Sequence, residues 1–228
     1  MTPSTPMPDA LAQLNVSVCA HALVKHNLAK LRDKTASPEA FRAALARLAQ
    51  ILLTEATQSL PLEPVLIETP LQPMQTEWLS PKTPIMVAPI LRAGLMLSGS
   101  ALELIPEAKV YHIGLYRNEA TLQPVTYYNK LPQAHQMDYA RAQVMILDPM
   151  LATGGSAIAA AQIFSDLGVP VANMQLVCVI AAPEGLAALG QAMPGMRVTT
   201  AAIDDCLNGQ GYIVPGLGDA GDRAFGTY

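Results

Sequence analysis

The segment over residues 148–156 has the residue types that a phosphate-binding loop needs. An apolar run ends in the carboxylate of Asp148, and a Thr-Gly-Gly-Ser turn then leads into a helical segment. The two glycines let the backbone approach a ligand closely, and the free N–H groups at the start of a helix attract an anion. The hydroxyls of Thr153 and Ser156 add donors, and Asp148 suits the hydroxyls of a sugar. The segment therefore predicts a site for a sugar phosphate.

Two arginines follow two other apolar runs of strand length. Arg92 comes directly after the run that ends at Leu91, and Arg117 closes the run over 110–116. The guanidinium group carries a permanent charge and a fixed fork of donors, which suits a diphosphate. An arginine at a strand end also often pairs with a surface acid. From the residues alone, both interpretations of Arg92 stay open.

The C-terminal segment is rich in glycine. Residues 216–221 formally match G-x-G-x-x-G, but the chain ends at Tyr228, which leaves no room for a helix of useful length or for the acid of a dinucleotide fold. Main-chain donors and acceptors in such a loop can match the alternating carbonyl and N–H groups of a planar base. A flexible tail is the alternative, and the embedded Tyr212, Ile213 and Leu217 argue against it.

Apolar runs of strand length alternate with helical segments from residue 83 onward. The predicted strands cover 85–90, 110–116, 144–147, 174–180 and 197–203, and the predicted helices cover 94–105, 155–167 and 183–191. This order predicts an α/β fold with a central, mostly parallel sheet flanked by helices. The candidate phosphate-binding loop and the two arginines then lie where predicted strands end and loops or helices begin.

The part of the chain before this region predicts an N-terminal helical extension. Apolar residues spaced three and four apart indicate a helix over 38–58, with Ser37 as its N-cap. A proline-rich connection follows, with a short edge strand near residues 65–68. Residues 1–15 are predicted to form a loose tail. We predict one domain over 1–228 with an irregular C-terminal segment.

Composition narrows the class of protein. The chain has 228 residues, of which 51% are hydrophobic, and a formal net charge of -4. It therefore lacks the broad basic field of a nucleic-acid binder, and no apolar run approaches the roughly 20 residues of a membrane helix. The three cysteines are scattered, and the N-terminus shows no secretory signal. We predict a cytoplasmic protein that binds neither nucleic acid nor membranes.

Four segments resemble one family in the same order. The segment Asp-Pro-Met-Leu-Ala-Thr-Gly-Gly-Ser over 148–156 resembles the phosphoribosyl-diphosphate motif of the type I phosphoribosyltransferases, and its Asp-Pro-Met-Leu form resembles that of the uracil phosphoribosyltransferase family. Leu-Arg-Ala-Gly over 91–94, Tyr-Arg over 116–117 and Pro-Gly-Leu-Gly-Asp-Ala-Gly-Asp over 215–222 resemble three further segments of that family. Many type I relatives carry two adjacent acids where this chain has Asp148 and Pro149. The similarity runs from about residue 20 to the C-terminus.

The resemblance implies a type I phosphoribosyltransferase fold that transfers ribose phosphate from 5-phosphoribosyl 1-diphosphate (PRPP) to uracil. It also implies a β-hairpin arm after Arg117 and a base-binding C-terminal hood over residues 204–228. By the resemblance, PRPP is bound by Arg92, Arg117, Asp148, Pro149, Met150, Leu151, Ala152, Thr153, Gly154, Gly155, Ser156 and Asp219. Uracil is contacted by Ile213, Gly218, Asp219 and Ala220. The catalytic set is Arg92, Arg117 and Asp219, with Mg²⁺ near Asp219 and held mainly through the PRPP diphosphate.

The resemblance leaves other interpretations in place. Members of the family are commonly dimers or larger homo-oligomers, and several respond to GTP, which makes GTP a candidate effector. A phosphoribosyltransferase for another base would use the same phosphate-binding segment. An RNA-binding pyrimidine regulator can be built on the same fold. The few, scattered basic residues disfavour this last alternative.

Overall fold

The computed structural model describes residues 14–117 and 124–227, apart from the side chains of residues 116, 117 and 124. In chain order the strands are β1 Asn15–Val18, β2 Leu62–Glu68, β3 Pro73–Leu79, β4 Ile85–Leu91, β5 Lys109–Val110, β6 Ile113–Arg117, β7 Pro124–Asn129, β8 Gln143–Leu147, β9 Met150–Leu151, β10 Met174–Val177, β11 Ile180–Ala181, β12 Arg197–Thr200, β13 Ala202–Ile203, β14 Cys206–Leu207 and β15 Ile213–Val214. The helices are α1 Ala22–Arg32, α2 Pro38–Ala56, α3 Leu95–Leu104, α4 Gly155–Asp166, α5 Pro183–Ala192 and α6 Ala220–Phe225.

One large sheet organises the fold. Its strand order is β1-β12-β10-β8-β4-β6-β7, with β5 also paired to β4. Every described ladder of this sheet is parallel except the pairing of β6 with β7. The α/β class with a mostly parallel sheet is therefore confirmed. The antiparallel β7 forms the second strand of the predicted hairpin arm, whose residues 118–123 lie outside the described part of the chain.

Three predicted strands are interrupted rather than continuous. The predicted strand over 174–180 ends in the large sheet at Val177, and Val179 N and Ile180 N then donate to Pro149 O at 2.9 and 3.2 Å. The chain thereby enters a second, three-stranded parallel sheet of order β13-β11-β9. The predicted strand over 197–203 is divided in the same way, into β12 of the large sheet and β13 of the second one. The predicted strand over 110–116 is also interrupted, but its two parts, β5 and β6, both pair with β4 in the large sheet. A fully buried apolar run has no periodic signal, so such a change of sheet is invisible in the sequence.

Helices cover both faces of the large sheet. Alternate residues of β4 point to opposite sides, so that Val87 lies in the core beneath α1, α2 and α3, whereas Ala88 lies in the core beneath α4 and α5. Each core contains a fully buried aromatic side chain, Phe41 on one side and Phe164 on the other. Burying such a side chain contributes about 1.5–3 kcal/mol. Residues of the hood, including Ile213 and Ala224, belong to the first of these cores.

The N-terminal helical extension contains two helices. The predicted helix over 38–58 is confirmed as α2, where Ser37 Oγ accepts from Ala40 N at 3.2 Å. Helix α1 was not predicted, although Val24 and Leu31 bury one of its faces completely. Among the described helices, including the 19-residue α2, none has both the length and the apolar composition to cross a membrane.

The predicted loose tail is wrong for its last two residues. Leu14 is buried, and Asn15 begins β1, which pairs in parallel with β12 at the edge of the large sheet. Residues 1–13 lie outside the described part of the chain. A strand of four residues is too short to be distinguished from a tail by its pattern. Its partner strand also lies far away in the sequence, with Asn15 paired to Arg197.

The proline-rich connection forms a hairpin of two seven-residue strands, where only one short strand was predicted. Strands β2 and β3 pair antiparallel from Leu62↔Leu79 to Glu68↔Pro73 and form a separate sheet. Prolines are tolerated here because a two-stranded ribbon consists only of edges, where a missing N–H need not break a ladder. The prolines were therefore a misleading signal against a strand.

Candidate functional site

Three predicted ligands of PRPP lie at the ends of three neighbouring strands. Asp148 follows β8, Arg92 follows β4, and Arg117 is the last residue of β6. These strands are adjacent and parallel in the order β8-β4-β6, so their carboxyl ends lie along one edge of the sheet. Ligands of open α/β sheets bind at that edge. The backbone of Arg117 lies at this edge, and its side chain lies outside the described atoms.

The phosphate loop, residues 148–156, lines a narrow pocket of about 80 Å³. Every residue of the loop except Pro149 lines this pocket. Pro149 is buried, and its carbonyl oxygen instead accepts the hydrogen bonds from Val179 N and Ile180 N. The structure therefore gives Pro149 a role in holding the loop against β11. The other eight predicted residues share one pocket.

The turn into α4 leaves main-chain donors at the pocket. Gly154 precedes the helix with φ of +84°, a left-handed conformation that side chains disfavour, and a Cβ there would lie 2.9 Å from Gly185 O. No described side chain caps the first turn of α4. The unpaired amides of that turn carry a partial positive charge and suit an anion. This geometry suits a small anion, and binding of a phosphate here stays a prediction.

A substitution at Gly155 should weaken PRPP binding without harming the fold. A Cβ at this position meets no protein atom nearer than Thr153 Oγ1 at 3.8 Å, so Gly155→Ala fits the ligand-free protein. In the complex the methyl group would occupy space beside the bound phosphate. We expect the PRPP dissociation constant, measured by titration calorimetry, to rise about tenfold or more, as for loss of one charged hydrogen bond.

The matched control is Gly154→Ala. The positive φ and the Gly185 carbonyl oxygen make this change unfavourable for the fold itself, by about 1–2 kcal/mol. Thermal unfolding should therefore distinguish the two variants, with a lowered Tm for Gly154→Ala only. Wild-type PRPP affinity in Gly155→Ala would contradict the assignment of this pocket to the 5′-phosphate.

The Asp148 carboxyl group lies at the base of the pocket with little polar support. Met150 N donates to its Oδ1 at 3.3 Å. Burial disfavours the charged form and raises the pKa of Asp148 from 3.8 to about 7, although the Met150 amide opposes the shift. An anionic Asp148 therefore lacks partners that ligand hydroxyl groups can supply. This environment fits an acceptor for the two ribose hydroxyls.

Arg92 extends from the end of β4 to the hood. Its Nη2 lies 3.2 Å from Asp222 Oδ1, and Thr227 Oγ1 is 3.5 Å from its Nη1. The pairing with a surface acid, one of the two interpretations of this arginine, is thus observed, and binding of a diphosphate stays a prediction. The Arg92 side chain is 59% exposed, and such exposed pairs contribute only about 0–1 kcal/mol. A diphosphate can therefore replace Asp222 as its partner.

Asp219 lies next to Arg92 at the start of α6. Its Oδ1 accepts from Asp222 N at 2.9 Å and caps the helix. A Cβ placed on Gly221 would lie 3.2 Å from Asp219 Oδ1 and 3.8 Å from Arg92 Nη2, so both side chains reach the same point. The structure brings together these two members of the predicted catalytic set. Across the described residues, no group of three or more His, Cys, Asp and Glu side chains is arranged to hold a metal ion.

The hood is more regular than the sequence suggested. Strands β14 and β15 form a short antiparallel pair, and the six-residue α6 follows where no useful helix was predicted. Among the predicted uracil contacts, Ile213 and Ala220 are buried, and Gly218 has φ of +77°. The side chains of Ile213 and Ala220 pack in the protein core, so main-chain groups of this segment are the groups best placed to meet a base.

Several residues that hold the hood were missed by the sequence analysis. Arg32 forms a two-pronged ion pair with the buried Asp204. Arg223 donates to Leu217 O at 2.6 Å and to Leu31 O, and it lies over the Phe41 ring. For this group of residues the sequence contains one signal, the position of Asp204 directly after an apolar run. The pairing of charges 172 positions apart leaves no local pattern.

The fold and this site define a class of protein. An open parallel sheet with a strand–loop–helix phosphate site and a hood above the same edge is the architecture of a type I phosphoribosyltransferase. The sequence matches the family model described as uracil phosphoribosyltransferase over residues 18–227. The chain belongs to the uracil phosphoribosyltransferase family.

Individual relatives agree with this assignment. The chain is 50% identical over 212 residues to the uracil phosphoribosyltransferase of Dictyoglomus turgidum, covering 93% of this chain and 99% of the relative. It is 49% identical over 213 residues to that of Caulobacter vibrioides, covering 93% and 99%. A solved structure of an Aquifex aeolicus protein superposes with a TM-score of 0.83 at 35% identity, covering 93% of this chain and 98% of that one.

Proposed function

We propose that this protein transfers the 5-phosphoribosyl group of PRPP to uracil, giving UMP and diphosphate. The observation that carries the proposal is the family match over nearly the whole chain, together with a phosphate pocket at the strand ends. In this reaction a bond forms between uracil N1 and C1′ of the ribose, and the bond from C1′ to the diphosphate oxygen breaks. The N1 proton is released. Pyrimidine salvage is the metabolic role that follows.

The phosphate loop binds the end of PRPP that does not react. Main-chain amides of the first turn of α4 and the hydroxyls of Thr153 and Ser156 hold the 5′-phosphate, while Asp148 accepts hydrogen bonds from the ribose hydroxyls. Binding energy from these remote contacts orients C1′ for the reaction. No covalent intermediate with a protein side chain is required.

The diphosphate end is the place where negative charge grows as the bond to C1′ breaks. Arg92 and Arg117 supply fixed positive charge there, which stabilises the leaving group as the sugar carbon becomes oxocarbenium-like. Asp219 offers a carboxylate beside Arg92, and Mg²⁺ is typically bound by one or two carboxylates together with substrate phosphates. The residues therefore fit a Mg²⁺ ion that binds with the PRPP diphosphate. When bound, the ion neutralises charge on the leaving group.

Selection of the base belongs to the hood. Purified protein assayed with Mg²⁺, PRPP and a panel of labelled uracil, cytosine, orotate and hypoxanthine should convert uracil to its nucleotide at least about a hundredfold faster than the others. A site that hydrogen-bonds polar base edges rejects analogues that leave its own groups unpaired. Preferential turnover of hypoxanthine would assign the protein to another phosphoribosyltransferase activity.

We also propose that the protein is a homo-oligomer. The apolar face of α2 is buried in the chain's own core, whereas the β2–β3 hairpin exposes an apolar surface that a second copy can cover. An isolated two-stranded hairpin is marginally stable in water, and this one exposes several large apolar side chains, Leu62, Leu66, Leu71, Met74 and Trp78. Light scattering after gel filtration would give the mass, and a monomer would contradict the proposal.

Regulation by GTP and a cytoplasmic location complete the proposal. GTP as an allosteric effector rests on the family resemblance alone, and initial rates at subsaturating PRPP with and without GTP would test it.

A cytoplasmic location is supported by the three cysteines, none of which is in a disulfide. Thiols stay reduced in that compartment.

A further inference from the structure

Asp204 joins the hood to the rest of the protein through a closed set of hydrogen bonds. Its Oδ1 and Oδ2 accept from Arg32 Nη2 and Nη1 at 2.5 and 2.8 Å, and Oδ2 also accepts from Gly216 N at 2.8 Å. Arg32 Nη1 in turn donates to Gly216 O at 2.8 Å. The Asp204 side chain is only 3% exposed. Both polar groups of the Gly216 backbone are therefore fixed by one ion pair.

The residue held in this way lies in the middle of the predicted base-binding segment. Gly216 falls between Ile213 and Gly218, and its φ of +65° places it in the left-handed region. A Cβ on Gly216 would lie 2.1 Å from Ile213 O, so the turn is closed too tightly for any side chain. The position of Gly216 consequently determines where the backbone of the segment presents its donors and acceptors.

The backbone of Asp204 connects the same point to the phosphate loop. Asp204 N donates to Ala181 O at 2.8 Å, at the end of β11. Strand β11 pairs with β9, which is part of the phosphate loop. Asp205 N donates to Val214 O at 3.0 Å. A short path of hydrogen bonds thus runs from the phosphate loop through Asp204, at the start of the hood, to the base-binding segment around Val214 and Gly216.

We propose that Asp204, held by Arg32, is a positioning residue that sets the uracil-binding segment at the correct distance from the ribose of PRPP. The inference rests on the proposed function. Formation of the bond between uracil N1 and C1′ needs the two atoms in line and close, and a misplacement of about 1 Å can cost on the order of a hundredfold in rate. Asp204 touches neither reactant and acts through Gly216.

Two variants distinguish a role of Asp204 in positioning the base-binding segment from a role in stabilising the fold. Asp204→Asn keeps the shape and one acceptor but removes the charge that holds Arg32. The double variant Arg32→Met with Asp204→Leu replaces the buried ion pair by apolar side chains, a change that folds often tolerate, yet it leaves Gly216 N without its acceptor and Gly216 O without its donor. The exposed pair of Asp138 and Arg141, with nitrogen and oxygen 3.5 Å apart, provides the control variant Asp138→Asn.

Steady-state kinetics and calorimetry on the full chain give the test. We expect both Asp204 variants to raise the KM for uracil by about tenfold or more, because the displaced segment makes poorer hydrogen bonds to the base. The value of kcat should also fall, by up to about a hundredfold, because N1 no longer lies in line with C1′. PRPP affinity measured without uracil should stay within about twofold of wild type, because the phosphate loop is unchanged. The control Asp138→Asn should match wild type in both measurements.

The possible results are distinguishable. A lowered Tm with an unchanged KM for uracil in Asp204→Asn would show that the pair only supports the fold, and it would overturn the inference. A double variant with wild-type uracil KM would overturn it as well. If the wild-type protein does not convert uracil at all, the proposed function fails, and this inference fails with it.

Discussion

Replacing Arg92 by alanine should lower turnover of uracil and PRPP by about 10- to 1,000-fold, the usual loss when one charge-stabilising donor is removed. The effect is expected mainly in kcat, because the interaction strengthens as charge develops on the departing diphosphate. Arg92→Lys should give an intermediate loss, since it keeps the charge without the planar fork. Initial rates over a range of PRPP concentrations would measure these changes.

Because Arg92 is exposed, its replacement should affect the kinetics without a large change in stability. Its pair with Asp222 is solvent-exposed, so Arg92→Ala should change the free energy of unfolding by no more than about 0.5 kcal/mol. Arg141→Ala is the matched control, because Arg141 is also exposed and also pairs with an acid, Asp138. If Arg92→Ala had wild-type kinetics, Arg92 would have to be removed from the mechanism.

Replacing Asp148 by asparagine should cost activity and add stability. The loss of charged hydrogen bonds to the ribose should lower kcat/KM for PRPP by about 10- to 150-fold, equivalent to 1.5–3 kcal/mol. The stability effect has the opposite sign. Since the pKa of Asp148 is about 7 in the fold against 3.8 ordinarily, the folded protein holds this proton more tightly than the unfolded chain. Wild-type stability therefore falls as pH rises through this window.

The pH dependence of unfolding tests this environment of Asp148. At pH 8 the Asp148→Asn variant should be more stable than wild type by up to about 4 kcal/mol, and the difference should shrink as the pH falls to 4 and below, where the carboxyl group also becomes protonated in the unfolded chain. Denaturant unfolding at pH 4, 6 and 8 would measure it. A variant less stable than wild type at pH 8 would show that ligand-free Asp148 is stabilised by partners after all.

The parts of the site that sequence reasoning could locate are those with local patterns. A strand, a carboxylate, a glycine turn and a helix follow one another within the phosphate loop, and the structure places eight of those nine residues around one pocket. Arg92 was placed correctly at a strand end for the same reason. Residues that are close in the sequence stay close in the structure where a strand leads directly into a helix.

Other features depend on contacts between distant segments. The pairing of Arg32 with Asp204 and the position of Arg223 over Phe41 arise only when the hood packs on α1 and α2. Helix α1 was missed because one of its four buried positions is the polar Asn27, which weakens the apolar pattern. The β2–β3 hairpin was underestimated because prolines normally argue against strands. The break between β10 and β11 was missed because buried apolar residues look alike in two different sheets.

A crystal structure of the protein with PRPP and without uracil would test the central claim most directly. The account predicts the 5′-phosphate in the pocket of the phosphate loop, with its oxygens about 3 Å from main-chain amides at the start of α4 and the ribose hydroxyls facing Asp148. A PRPP molecule whose 5′-phosphate is bound elsewhere, with this pocket empty, would contradict it.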